Sequence, residues 1–146
     1  MAETKWQTDE SGMVRGVRYH DGSLESLEYV ADDHIRVRIR ATSGELLFVT
    51  VVGLADAFVE LWAGGIISYI FVWPVTAVPQ AFHASDTPWN TLLRGRITSE
   101  EAASQWAKDI TSRMPEHHFL HILCSYGGIL AAIGQSVSFE QHGYTR

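Results

Sequence analysis

From Ile35 to Arg40 the chain alternates isoleucine or valine with arginine at every step. Strict period-two alternation sends successive side chains to opposite faces of a strand, so Ile35, Val37 and Ile39 are expected on a buried face and Arg36, Arg38 and Arg40 on the other. Leu24 to Val30 has the composition of a partner strand, and Ala31-Asp32-Asp33-His34 between them suits a hairpin connection. In that register Glu28 and Glu25 come near Arg36 or Arg38. Exposed pairs of this kind contribute only ~0–1 kcal/mol, so they tune the sheet without holding it together.

The same reading extends along the chain. Met1 to Met13 is polar apart from Trp6 and is expected to be a loose end, with the single folded domain running from residue 14 to 146. Val14 to Tyr19 reads as a short first strand and His20-Asp21-Gly22-Ser23 as a turn. Glu45 to Val52 is apolar on both faces, the mark of a central strand. Leu54, Phe58, Leu61 and Trp62 recur at i, i+4, i+7 and i+8, which predicts a short helix ended by Gly64. Ile66 to Trp73 reads as a buried central strand stopped by Pro74, and Val78 to Arg96 as an irregular connection. Thr98-x-x-Glu101 is a capping-box pattern opening a helix with Ala103, Trp106, Ala107, Ile110 and Met114 on its apolar stripe, closed by Pro115. His118 to Ser125, Ile129 to Ile133 and Ser136 to Glu140 complete the strands. The predicted class is α+β: mostly antiparallel β-sheet, with one amphipathic helix packed on a face and one short helix.

Charge narrows the partners. With 17 Asp and Glu against 11 Lys and Arg, the net charge of -6 works against nucleic acid, whose binding depends on Lys and Arg replacing counterions. An acidic surface instead suits a basic protein. The uncharged stretch between Glu60 and Asp86 is broken by Gly64-Gly65, Pro74 and Pro79, and its apolar run falls short of the ~20 residues of a membrane helix, so no membrane span is expected. Cys124 is the only cysteine and has no disulfide partner within the chain. No charged, apolar and small-residue leader pattern opens the chain, and the expected location is cytoplasmic.

Candidate chemistry is sparse. His117 and His121, with His83 and Asp86, are the metal-ligand candidates because imidazole is a common ligand, but on a strand these histidines have packing or surface roles more readily than a fixed coordination geometry. Cys124 lies in an apolar strand and reads as a core residue. Ser125 lacks the preceding glycine of a nucleophile elbow, and Gly64-Gly65 and Gly127-Gly128 lack the phosphate-loop pattern. No catalytic residue and no cofactor are assigned. Trp73 and Trp89 flank the irregular segment, and Trp89, placed in a polar loop, forms with Arg94, Arg96, Arg36 and Arg38 the candidate partner-binding group, since Trp and Arg are frequent interface anchors.

Three landmarks occur in order along the chain: Tyr19-His20-Asp21-Gly22 before the first long hairpin, Val51-Val52-Gly53-Leu54 leaving a strand, and Ser125-Tyr126-Gly127-Gly128 between late strands. In these the chain resembles small bacterial immunity-type proteins, which neutralise a cognate toxin by binding it. The resemblance implies an α+β stoichiometric binding protein with no cofactor and a basic toxin as partner. Two other readings stand beside it. One is a small-molecule-binding or metal-dependent enzyme using His83, Asp86, His117 and His121; the other is a homodimer or larger homo-oligomer joined through an exposed strand edge or the Ile66 to Trp73 region.

Overall fold

A computed structural model describes residues 5–61, 65–79, 87–96, 99–125 and 128–143. Its elements are β1 (Gln7–Thr8), β2 (Val14–Arg15), β3 (Ser23–Ala31), β4 (His34–Arg40), β5 (Leu46–Val52), β6 (Asp56–Leu61), β7 (Ile67–Pro74), α1 (Pro88–Leu92), α2 (Glu100–Arg113), β8 (His118–Cys124), β9 (Gly128–Gly134) and β10 (Ser136–His142). One four-stranded sheet has the order β10-β5-β4-β3 and a second the order β6-β9-β8-β7, while β1 and β2 form a small ribbon. Every pairing is antiparallel. The predicted α+β class, mostly antiparallel sheet with one longer and one short helix, is the class observed.

Alternation sorts the side chains into three layers. Ile35, Val37 and Ile39 are buried beside Leu47, Val49, Val51, Val137 and Phe139, and they meet Ile70, Val72, Leu120, Ile122, Leu130 and Ala132 of the second sheet. On its other face that sheet carries Trp73, Phe119, Ala131 and Ile133, covered by Trp89, Leu92 and Leu93 at α1 and by Ala103, Ala107 and Ile110 of α2. Strands β8 and β9 are therefore buried on both sides, which is why Phe119-Leu120-His121-Ile122 and Ile129–Ile133 show almost no polar alternation.

The two sheets are joined by a shared corner. Strand β5 passes into β6, and β9 into β10 with only Gln135 between, so two paired strands leave one sheet and enter the other side by side. Glycine makes the bend feasible: Gly53 has φ 67°, and a Cβ on Gly134 would lie 2.3 Å from Val51 Cγ1. Gln135 N–H donates to Val52 O at 2.9 Å and holds the corner closed.

Several expectations change. The segment with helical spacing from Leu54 is not the short helix: Asp56–Leu61 is strand β6, paired with β9 from Asp56↔Ile133 to Leu61↔Gly128. Its apolar residues fit either period, and the presence of a strand partner decides between them. Trp62 and Gly64 lie outside the described residues. The short helix is instead α1, inside the stretch expected to be irregular, with Thr87 at its N-cap and Pro88 in its first turn, where a missing N–H costs nothing. Helix α2 begins one residue later than the capping box suggests: Ser99 Oγ accepts from Ala102 N–H at 3.1 Å, and Thr98 lies outside the described residues. Trp106 is 40% exposed, so it is not on the buried stripe.

Strand β7 is an edge by sheet order, not a central strand, and the N-terminal segment shields it. Val72 N–H donates to Gly12 O at 2.9 Å, Met13 bridges Phe71, and Ile67 exchanges backbone hydrogen bonds with Asp21 and Gly22. The stretch expected to be loose is thus packed from Trp6 onward: the Trp6 ring lies 4.6 Å from that of Phe139, and Trp73 Nε1–H donates to Ser11 O at 2.8 Å. Only Val14–Arg15 of the expected first strand pairs as one.

Candidate functional site

The arginine ladder lies on the outer face of the first sheet, as its alternation predicts. Cross-strand pairing sets Glu28 opposite Arg36, whose Nε–H donates to Glu28 Oε1 at 2.7 Å. Glu25 occupies a β-bulge, where the register shifts between Leu24 and Ser26, and the extra residue reaches two arginines: Arg38 Nε at 2.8 Å and Arg40 Nε at 2.9 Å. The Arg36 guanidinium also lies 5.1 Å over the Phe48 ring, and His142 meets that ring edge-on at 5.2 Å. The apolar outer residue of β5 is therefore roofed by arginine rather than by another layer.

Hydrogen bonds from Arg40, and then Arg38, hold the Glu25 carboxyl below its ordinary value of 4.5. Because the folded-state pKa is depressed, the stabilisation is present above the unfolded value and lost as pH falls through the folded one. The two bridges have side chains about a third exposed, so their worth stays near ~1 kcal/mol or less. Glu25→Gln is accordingly expected to unfold at slightly lower urea than the parent at pH 7, with the difference vanishing as the pH falls and the parent carboxyl protonates, by paired urea titrations along that fall in pH.

Arg94 and Arg96 belong to a different face. Both follow α1 and reach back to β6: Arg94 Nη1 lies 3.4 Å from Glu60 and its guanidinium 5.5 Å over Phe58, while Arg96 Nη2 lies 3.0 Å from Asp56. Arg96 also caps the carbonyl of Leu92 and lies 5.9 Å from the Trp106 ring. The fold does not bring these two arginines together with Arg36 and Arg38, which sit on the outer face of the other sheet. Trp89 joins neither group. It is fully buried, packed edge-on to Phe119 at 5.1 Å, and so is a core residue of the helical layer that offers a partner no surface. The polar neighbours of Trp89 do not imply its burial, which comes from α1, a helix too short to be visible in the sequence.

The histidines also separate. His118 begins strand β8, as expected, which leaves His117 before it, and His118 Nδ1 lies 3.3 Å from Gln135 O. His121 is buried with its Nε2 3.1 Å from Thr91 Oγ1. Thr91 commits its own proton to Thr87 O at 2.9 Å, so the bond from His121 is an Nε2–H donation. His83 and Asp86 lie outside the described residues, and among the described residues no group of three or more His, Cys, Asp or Glu side chains converges as metal ligands do. Burial pushes the Cys124 thiol upward, away from the thiolate a nucleophile needs. Ser125 meets the hydroxyl of Ser68. Among the described residues no helix is long and apolar enough to cross a membrane.

One surface was not singled out from the sequence. Tyr29 pairs with Ile35 and so lies on the inner face of the first sheet, yet it is 72% exposed because β3 is the outermost strand of that sheet. Val30, in a second bulge, is 51% exposed, and Asp32 and Asp33 follow in the turn. Neither Asp32 nor Asp33 enters an ion pair among the described residues. The available signal was an aromatic and a valine directly before two acids at a hairpin tip. Comparison with protein-family models, with curated proteins and with solved structures finds no match for this chain.

Proposed function

We propose that this chain is a non-catalytic, stoichiometric binding protein for a basic protein, a bacterial toxin by the immunity-type resemblance, and that it acts in the cytoplasm. The observation that carries this reading is the β3–β4 hairpin tip, where Tyr29 and Val30 project beside the uncompensated carboxylates of Asp32 and Asp33. An exposed tyrosine next to unpaired acid is a suitable anchor for a cationic surface, the ring supplying contact area and the carboxylates steering the encounter. The arginine faces support it by contrast: their charges are already matched by Glu25, Glu28, Asp56 and Glu60, which leaves the acidic excess elsewhere.

Docking through side chains suits this strand better than strand addition. Two bulges and the charged pair Glu25 and Glu28 interrupt its outer edge, and both features oppose pairing with a further strand. The test mixes the full chain with the basic product of an adjacent gene and measures stoichiometry by light scattering and affinity by calorimetry. A one-to-one complex is expected, weakened roughly thirtyfold or more by Tyr29→Ala, the size of a ~2 kcal/mol anchor, and further by Asp32→Lys with Asp33→Lys. No complex with any neighbouring product would remove the reading. A complex indifferent to the hairpin variants would remove the surface assigned to it.

A further inference from the structure

The residues between β2 and β3 enclose a groove of about 520 Å³ against the turn that joins β4 to β5. That volume is within the range of small-molecule sites, ~300–1,000 Å³. Among the described residues its lining includes Arg15, Arg18, His20, Tyr19, Thr42 and Ser43 and no carboxylate, the Asp21 carboxylate lying just outside it at 3.3 Å from His20 Nδ1, although acids outnumber bases 17 to 11 in the whole chain. A lining so biased against the overall charge favours an anion.

The backbone of the groove is fixed, while its basic side chains are exposed at the rim, each with one carboxylate contact. Arg18 N–H donates to Gln141 Oε1 and Arg18 O accepts from Gln141 Nε2, each at 2.9 Å, which ties the segment to β10 from both sides. Tyr19 is 7% exposed and its hydroxyl donates to Val14 O at 2.8 Å, giving the wall a rigid aromatic element. Gly44 N–H to Ala41 O, at 2.9 Å, closes the turn that presents Thr42 and Ser43. Among the described residues Arg15 and Arg18 each contact one carboxylate from outside the lining, Asp9 at 3.2 Å and Glu45 at 3.4 Å. A guanidinium has five N–H donors, so single exposed contacts worth ~0–1 kcal/mol leave most of its capacity for a ligand.

We propose that this groove binds a small organic molecule bearing a multiply charged oxyanion group, a phosphate monoester or clustered carboxylates, with Arg15 and Arg18 as its charged clamp. Thr42 and Ser43 supply hydroxyl donors across the groove, and the Tyr19 wall accommodates the organic body. The site is independent of the hairpin tip and does not rest on the protein-binding reading.

Calorimetry of the full chain with adenosine monophosphate, citrate and inorganic phosphate tests it. Saturable one-to-one binding of adenosine monophosphate or citrate is expected with Kd below about 1 mM, inorganic phosphate binding more weakly because it lacks an organic body. Arg15→Gln with Arg18→Gln is expected to weaken binding at least tenfold, while Arg36→Gln with Arg38→Gln, in the ladder, leaves it unchanged. Both pairs are surface residues, and circular dichroism checks that each variant is folded. Absence of saturable binding by all three probes up to about 10 mM overturns the proposal. Equal weakening by both arginine pairs also overturns it, because it would reflect overall charge rather than this groove.

Discussion

Trp89→Ala is expected to cost about 3–5 kcal/mol, the range for truncating a large buried aromatic side chain. Trp89 is fully buried in the layer between the second sheet and the helices, where it packs edge-on to Phe119 among Leu92, Leu93, Ala107 and Ile110. Its loss leaves a cavity that α1 cannot collapse to fill, because Leu92 and the bond between Thr91 and His121 hold the helix in place. Domain stabilities run at ~5–15 kcal/mol, so the variant keeps little margin, and its thermal midpoint should fall by roughly 10 °C or more. Trp89→Phe makes the sharper comparison. Among the described residues Trp89 Nε1–H has no hydrogen-bond partner, and an orphan buried donor costs about 1–3 kcal/mol. Phenylalanine removes that donor while giving up some volume, so the two effects offset and the net change should stay within about 1 kcal/mol. Urea unfolding of the parent and both variants decides: a Phe variant as unstable as the Ala variant would show that the indole N–H is satisfied.

Gly12→Ala is expected to be nearly as damaging, although it adds a single methyl group to a segment whose sequence looks dispensable. Gly12 has φ 89°, and a Cβ there would lie 2.1 Å from Trp73 Nε1 and 2.8 Å from Cε2. Indole cannot swing aside cheaply, because Phe71 stacks on it at 5.1 Å and Ser11 O accepts its N–H. Relief must come from lifting residues 9–13 off the edge of β7, which also breaks the bond from Val72 N–H to Gly12 O. Left-handed strain of ~1–2 kcal/mol together with overpacking of ~1–3 kcal/mol sets an expected loss of about 2–5 kcal/mol. The same variant should change the fluorescence of Trp73 and expose the β7 edge to hydrogen exchange. Protection of Val72 at parental levels would contradict the assigned contact.

Particular residues show where the chain was legible. The Ile35 to Arg40 ladder, its hairpin with Leu24 to Val30, the pairing of Glu28 with Arg36 and the reach of Glu25 to Arg38 all follow from a side-chain period of two and a short loop. Glu45 to Val52 was legible as a central strand because apolar residues on both faces require cover on both, supplied on one by the core and on the other by Arg36 and His142. The helix before Pro115 was legible from its stripe and stop, with its cap displaced by one residue. Asp56–Leu61 was not, because its spacing fits a helix until β9 offers hydrogen bonds along its length. Nor was the Trp89 environment, since five helical residues carry too little periodicity to register.

Of the candidate site residues, Arg36 and Arg38 stand on the face their alternation assigns. The ladder is a self-neutralised roof over Phe48, while Arg94 and Arg96 brace α1 against β6. The exposure of Tyr29 and the concavity at Arg15 and Arg18 are not legible in the sequence, because both are properties of what other segments leave uncovered. Local periodicity by itself determined most of the long strands other than Asp56–Leu61, the long helix, the antiparallel class and the two faces of β4, since these follow from steric rules acting over a few residues. Only the tertiary structure decided that β5–β6 and β9–β10 turn a shared corner, that the N-terminal segment seals β7, and which charges are spent on one another. Those outcomes depend on contacts between segments distant in the chain, whose energies no local pattern carries.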